Sequence, residues 1–218
     1  MKNIIVISTS LRKNGNSERL ADAFVKGAKE AGHMVEKCSL QDCAMHFCTG
    51  CMACQHSRQG QCAMPDDADI LIQKMAAADV IAFATPVYFY EMCGQMKTLL
   101  DRTNPLFPIP YKFKDIYLLT TAADSEQHAM DGVIKGLQGW IDCFEKSSLK
   151  AVVYGTSIDG MDAVLEHPEI LNEAYELGKK AGWKYHKLKQ LGGSKHGYDK
   201  TGICNRRESV ISRNGCTG

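Results

Sequence analysis

The chain has 218 residues, of which 44% are hydrophobic and 23% charged, and its formal net charge is +1. That length suits one α/β domain of roughly 100–200 residues with an addition, and the near-neutral charge excludes the strong field by which basic proteins hold nucleic acid or anionic membrane surfaces. No apolar run approaches the ~20 residues of a membrane helix, and the start, MKNIIVISTSLRKNGNS, lacks the apolar core and cleavage site of an export signal, so a cytoplasmic location is expected.

Short apolar runs alternate with amphipathic stretches along the chain. Residues 3–8 predict a first strand, and residues 17–31 a helix with Leu20, Phe24, Val25 and Ala28 on one face and Gly32 as its stop. A weaker run at 33–38 predicts the second strand. Residues 67–78 predict a helix facing inward through Ile70, Leu71 and Met75; 80–84 predict the third strand and 94–102 the next helix. Strands at 116–121 and 149–154 and helices at 127–144 and 168–182 complete the series, the last helix with Pro168 in its first turn. Five strands alternating with helices predict a doubly wound, five-stranded parallel α/β sheet. From Trp183 the chain is polar, basic and rich in glycine. Residues 1–182 are therefore expected to form the domain and 183–218 a polar C-terminal extension without a core of its own.

The loop after the first strand reads Ser8-Thr-Ser-Leu-Arg-Lys-Asn-Gly-Asn-Ser17. A strand-to-helix turn directs backbone N–H groups and the positive end of a helix dipole at one point. Ser10, Asn16 and Ser17 add side-chain donors there, and Arg12 a charge. The loop lacks both G-x-G-x-x-G and G-x-x-x-x-G-K-[ST], so the dinucleotide and nucleoside-triphosphate signatures are missing and a mononucleotide phosphate remains. Capping by Asn16 or Ser17 and chain turning by Gly15 account for these residues singly but not for their clustering.

After the third strand comes Thr85-Pro-Val-Tyr-Phe-Tyr-Glu-Met-Cys-Gly-Gln-Met-Lys97. In doubly wound sheets ligands sit beyond the carboxyl ends of the strands at the switch point, between the first and third strands here, so this loop and the donor-rich loop face one crevice. Thr85, Pro86, Val87, Tyr88 and Phe89 offer a rigid, aromatic, donor-bearing wall for a flat ring system such as an isoalloxazine. Alone, an apolar-aromatic loop reads as packing; its weight comes from the phosphate loop beside it.

The segments STSLRKNGNSERLADAF and TPVYFYEMCGQMKTLLDR resemble the corresponding loops of the NAD(P)H-dependent FMN reductase and iron-sulfur flavoprotein group, a likeness that runs over residues 3–182. The resemblance implies a flavodoxin-like three-layer α/β/α fold with sheet order 2-1-3-4-5, non-covalent FMN, NAD(P)H as electron donor, and dimers or tetramers that complete the flavin pocket. It implies that Ser10, Arg12, Asn16 and Ser17 hold the phosphate and that Thr85, Pro86, Val87, Tyr88 and Phe89 line the ring. Thr121 and Ala122 occupy the place of a third flavin loop, where this chain reads TTAADSE in place of a Gly-rich stretch.

Four of the ten cysteines, Cys48, Cys51, Cys54 and Cys62, fall within fifteen residues as C-x2-C-x2-C-x7-C. Two-residue gaps let successive thiolates wrap one small soft centre, with Gly50 and Gly60 easing the turns. The spacing resembles the compact cysteine motif of iron-sulfur flavoproteins and implies a [4Fe–4S] centre. Plain flavoproteins carry similar segments, which leaves free thiols as an equal alternative and structural zinc as a third. Of the remaining cysteines only Cys93 stands near the aromatic loop. No histidine pair has metal or acid–base spacing, and Asp66, Asp67 and Asp69 read as helix-dipole and capping partners. The function expected is an FMN-dependent oxidoreductase that uses NAD(P)H to reduce a quinone, flavin or nitroaromatic acceptor. The alternatives are an electron carrier linking FMN to a [4Fe–4S] cluster and a redox protein partner, and a zinc-organised module without redox chemistry.

Overall fold

The structure, a computed structural model, describes residues 1–182; the predicted extension at 183–218 lies outside the described residues. Five parallel strands, β1 (Asn3–Ser8), β2 (Met34–Ser39), β3 (Val80–Tyr88), β5 (Asp115–Thr121) and β6 (Ser148–Gly155), are ordered β2-β1-β3-β5-β6. This is the order predicted for the long strands. The count is corrected to six, because β3 runs past Ala84 to Tyr88 and turns back into the two-residue β4 (Glu91–Met92), which pairs antiparallel with its end. Two residues carry no readable periodicity.

The strands are continuous apolar runs because both faces are covered. Alternate residues Ile5, Ile7, Ile81, Phe83, Ile116 and Leu118 belong to a core with α2 (Ala68–Ala77), α3 (Gly94–Arg102) and α4 (Asp131–Ile141). Their neighbours Ile4, Val6, Val80, Ala82, Tyr117 and Leu119 pack with α1 (Asn16–Glu30) and α5 (Pro168–Lys180) on the opposite face. Burying each such side chain is worth about 1.5–3 kcal/mol, which makes this alternation the main constraint on strand register. The weak signal of β2 follows from its place at the sheet edge, where Met34, Glu36 and Lys37 remain exposed.

Two helices depart from expectation. Ile70 is 60% exposed, and α2 turns Leu71, Ile72 and Met75 inward instead. The long helix predicted at 127–144 is shorter: Gln127–Met130 forms a tight single turn before α4 begins at Asp131. No helix among the described residues is long and apolar enough to cross a membrane.

Candidate functional site

The carboxyl ends of β1 and β3 lie side by side, with Ser8 opposite Ala84, and their chains then leave toward opposite faces, β1 into α1 and β3 into α3. This divergence opens the crevice. Thr9 closes its floor, donating from both N–H and Oγ1 to the Ala84 carbonyl at 2.9 and 3.0 Å. Cys93, 1% exposed, links the walls: its thiol lies 3.1 Å from Thr9 Oγ1 and 3.5 Å from Thr85 Oγ1.

In the donor-rich loop Ser10 is 5% exposed, and its Oγ accepts from the Arg12 N–H at 3.1 Å, tightening the turn. Gly15 stands at the N-cap of α1 and supplies no side-chain cap, so the first-turn N–H groups keep their free donors. Ser17 in that turn is 1% exposed, yet its Oγ has no partner. A buried hydroxyl without a partner costs about 1–3 kcal/mol. An anion received here would satisfy Ser17 and the helix end together, which is the fit expected of an FMN phosphate. Arg12 is exposed at the loop surface. Asn16 is engaged elsewhere: its Nδ2 donates to the Gly160 carbonyl at 2.8 Å and its Oδ1 accepts from the Val164 N–H at 3.2 Å. It braces the loop against the segment after β6.

The second wall is formed by the end of β3. Thr85 is fully buried, Pro86 and Val87 are half-buried, and Tyr88 is 46% exposed. Phe89 and Tyr90 form the two-residue turn between β3 and β4 with φ of 52° and 61°, the left-handed pair that a tight hairpin turn needs but that non-glycine residues resist. The hairpin is seated on α4, where a Cβ on Gly132 would come within 2.2 Å of the Tyr90 carbonyl oxygen. Tyr90 Oη also donates to Asp124 Oδ2 at 3.2 Å, and its ring stacks on His128. The Glu126 N–H and the Tyr90 hydroxyl hold the Asp124 carboxyl below its usual range.

Thr121 and Ala122 are both buried at the end of β5. The Ala122 N–H donates to Gly155 and its carbonyl accepts from Ile158. Its backbone groups are therefore engaged with the chain around β6, and Asp124 with Tyr90 is the polar feature this loop adds to the crevice.

The cysteine loop lies at the other end of α3. Cys48, Cys51, Cys54 and Cys62 line one small pocket, joined by Arg102 and Asn104 from the carboxyl end of α3. Gly50 and Gly60 take φ of 67° and 90°, which eases the reversals that bring the thiols together. Cys54 is buried; burial and the neighbouring charge of Cys62, with smaller effects from Cys48 and Cys51, push its thiol up. Backbone N–H of Ala53 and the Thr49 hydroxyl lower that of Cys51. Among the described residues no three His, Cys, Asp or Glu side chains are gathered closely enough to hold a single metal ion. Cys48 and Cys51 are exposed, Cys62 is half-buried and Cys54 is buried, all four as free thiols on the wall of that pocket.

The three aspartates read as helix-dipole partners hold this loop in place. Asp67 Oδ2 accepts from the Ala44 N–H at 2.7 Å, Asp69 Oδ1 from the Cys62 N–H at 3.1 Å, and Asp66 Oδ2 from the His46 N–H at 2.9 Å. Asp66 also receives Arg102 in a two-pronged pair at 2.6 and 2.8 Å, with both side chains almost wholly buried. Burial opposes ionisation of Asp66, but the guanidinium and the His46 and Ala68 N–H groups hold its carboxyl far below the usual range. Arg102, Asp66 and Asp67 carry no sequence signal for this role, since their contacts with Ala44, His46 and one another span 20 to 56 residues.

A parallel sheet in the order β2-β1-β3-β5-β6 with helices on both faces places the chain in the flavodoxin-like fold class. The model of the family described as NADPH-dependent FMN reductase matches residues 2–140, and the chain belongs to that family. It is 36% identical to an iron-sulfur flavoprotein of Archaeoglobus fulgidus over 96 residues, 44% of this chain and 43% of that one. It is 31% identical to an NAD(P)H dehydrogenase (quinone) of Geotalea daltonii over 94 residues, 43% of this chain and 44% of the relative. The chain spans about half the length of the curated relatives it matches. Among solved structures, an NAD(P)H:quinone oxidoreductase from Methanothermobacter marburgensis superposes with a TM-score of 0.66 at 17% identity, covering 86% of this chain and 99% of that one.

Proposed function

We propose that the protein is an FMN-dependent oxidoreductase that takes electrons from NAD(P)H and delivers them to a small acceptor of the quinone, flavin or nitroaromatic type. The observation that carries this reading is Ser17: a buried hydroxyl without a partner in the uncapped first turn of α1, the helix that follows β1 at the switch point. Ser10, Ser17 and the first-turn N–H groups would hold the phosphate, Arg12 would balance its charge, and Thr85, Pro86, Val87, Tyr88 and Phe89 would line the ring. Thr121 and Ala122 would contribute packing surface. Bound FMN supplies the redox chemistry, accepting an electron pair from nicotinamide and passing electrons on. The chain's own residues orient the ring and shield it from water; no general acid or base is assigned. The purified protein is expected to carry about one FMN per chain, bleached by NADH or NADPH in rapid mixing. Protein without flavin, or flavin that neither donor bleaches, overturns the reading.

A second reading is favoured by one observation, the four thiols lining a common pocket. In it Cys48, Cys51, Cys54 and Cys62 hold a [4Fe–4S] centre that exchanges single electrons with FMN and a redox protein. Protein prepared without oxygen should then contain about four iron and four sulfide per chain; FMN without iron leaves the simple reductase. Zinc would be found in their place if the loop is only structural. Both redox readings fit a cytoplasmic protein, where thiols stay reduced, and a homodimer or homotetramer, for which the exposed rim of Tyr88, Phe89 and Tyr90 is the support. Sedimentation as a monomer at micromolar concentration would refute the assembly.

A further inference from the structure

Arg102 is the largest completely buried side chain among the described residues, a costly place for a charge unless its partners are fixed. Asp66 takes one N–H from each terminal nitrogen, and the His46 carbonyl accepts from Nη1 at 2.8 Å. Nε is left buried with no partner, and it belongs to a side chain that lines the four-cysteine pocket. Two residues on, Asn104 reaches toward Cys48, its Nδ2 standing 4.0 Å from Sγ. The carboxyl end of α3 thus presents two donors to the pocket, one of them a charge held rigidly by a carboxylate that itself pins the loop through the His46 N–H.

We propose that Arg102 is the positioning residue of the thiol-bound centre: its fixed guanidinium offers the Nε–H to the sulfur of Cys62 or of the cluster beside it, and so stabilises the more negative, reduced state. This rests on the [4Fe–4S] reading. An N–H donor from a charged group strengthens as negative charge accumulates on sulfur. Asp66 acts in the opposite direction, since its carboxylate offsets much of the field that the arginine would otherwise exert on the pocket.

The test compares anaerobically prepared wild-type protein with Asp66→Asn and with the double variant Asp66→Asn/Arg102→Gln, which removes both charges and leaves neither partner ionised and alone. Iron, sulfide, FMN content and melting temperature are measured beside the cluster's midpoint potential. The double variant should keep FMN and its melting temperature while the reduced state loses about tenfold in relative stability, a fall of about 59 mV for one electron; loss of iron with FMN and melting retained also supports the proposal. Asp66→Asn alone should shift the potential upward. Iron-loaded wild type with both variants at its own midpoint overturns the proposal while the cluster stands. If the double variant loses FMN and melts early, Arg102→Lys decides, since it keeps a charge opposite Asp66 and lacks the Nε–H donor: a midpoint equal to wild type overturns the proposal. Wild-type protein with FMN but no iron instead defeats the cluster reading on which it rests.

Discussion

The two ends of α3 show opposite ways of building a site from irregular chain. At the crevice, the turn before α1 leaves its donors open: the N-cap has no side-chain partner and Ser17 is buried without one. At the cysteine pocket the backbone is held by carboxylates, with Asp66, Asp67 and Asp69 fixing His46, Ala44 and Cys62, and the thiols are what face the cavity. The first arrangement suits a ligand that brings its own charge and takes hydrogen bonds. The second suits one that binds sulfur directly and needs the loop shaped beforehand.

The largest effect that separates the two regions is expected at the buried pair. Replacing Arg102 alone with methionine leaves the Asp66 carboxylate buried and uncompensated, a loss of about 3–5 kcal/mol in denaturant unfolding. The double substitution at both positions should cost much less. Equal losses for the two variants would mean that packing, and not charge, holds the cysteine loop.

Acid supplies the next contrast. Asp66 ionises far more readily in the folded protein than in the unfolded chain, so its contribution is fully present above the unfolded carboxylate value of about 3.9 and is lost as pH falls from there toward the folded value. Protein freed of metal should lose stability along that acid limb, and Asp66→Asn should flatten it. An acid limb of the same slope in the variant would assign the loss to other carboxylates.

Ser17→Ala should move two measurements in opposite directions. FMN binding loses a hydrogen bond to a charged group, worth about 1.5–3 kcal/mol or at least tenfold in Kd. The flavin-free protein loses only an unsatisfied hydroxyl and should be no less stable, since removing it ends a desolvation cost. Titration with FMN and unfolding of the flavin-free form check the two halves separately. Native affinity in the variant would show that the open donors of the crevice do not receive the phosphate.

What the sequence made legible follows from range. Residues 3–8 and 94–102 were delimited to the residue as β1 and α3, because a strand buried on both faces is one apolar run and an amphipathic helix repeats locally. The four cysteines were legible from spacing alone, and they line one pocket. The apparatus around them was not: Asp66, Asp67 and Asp69 look locally like helix-start acids, and only the folded chain brings them to Ala44, His46, Cys62 and Arg102. Asn16 shows the same limit, since its partners at Gly160 and Val164 lie more than 140 residues away. The extra strand β4 escaped because two residues have no period.

The smallest effect concerns the aromatic turn. Phe89 holds φ of 52° while its side chain is wholly exposed, so within one chain it has the cost of left-handed backbone and no burial to offset it. Glycine takes this conformation freely, and Phe89→Gly should raise the stability of the isolated subunit by up to about 1 kcal/mol. Backbone strain retained at a crevice rim points to use of the ring. Stacking of a flat acceptor on it is worth about 0.5–1.5 kcal/mol, so the FMN-saturated variant should show a several-fold higher KM for a quinone acceptor. Unchanged KM together with weaker self-association in sedimentation would assign the ring to contact with a second copy. A loss of stability at concentrations where the protein is monomeric would show that the turn is held by contacts of the phenyl ring within its own chain, against the exposure on which this prediction stands.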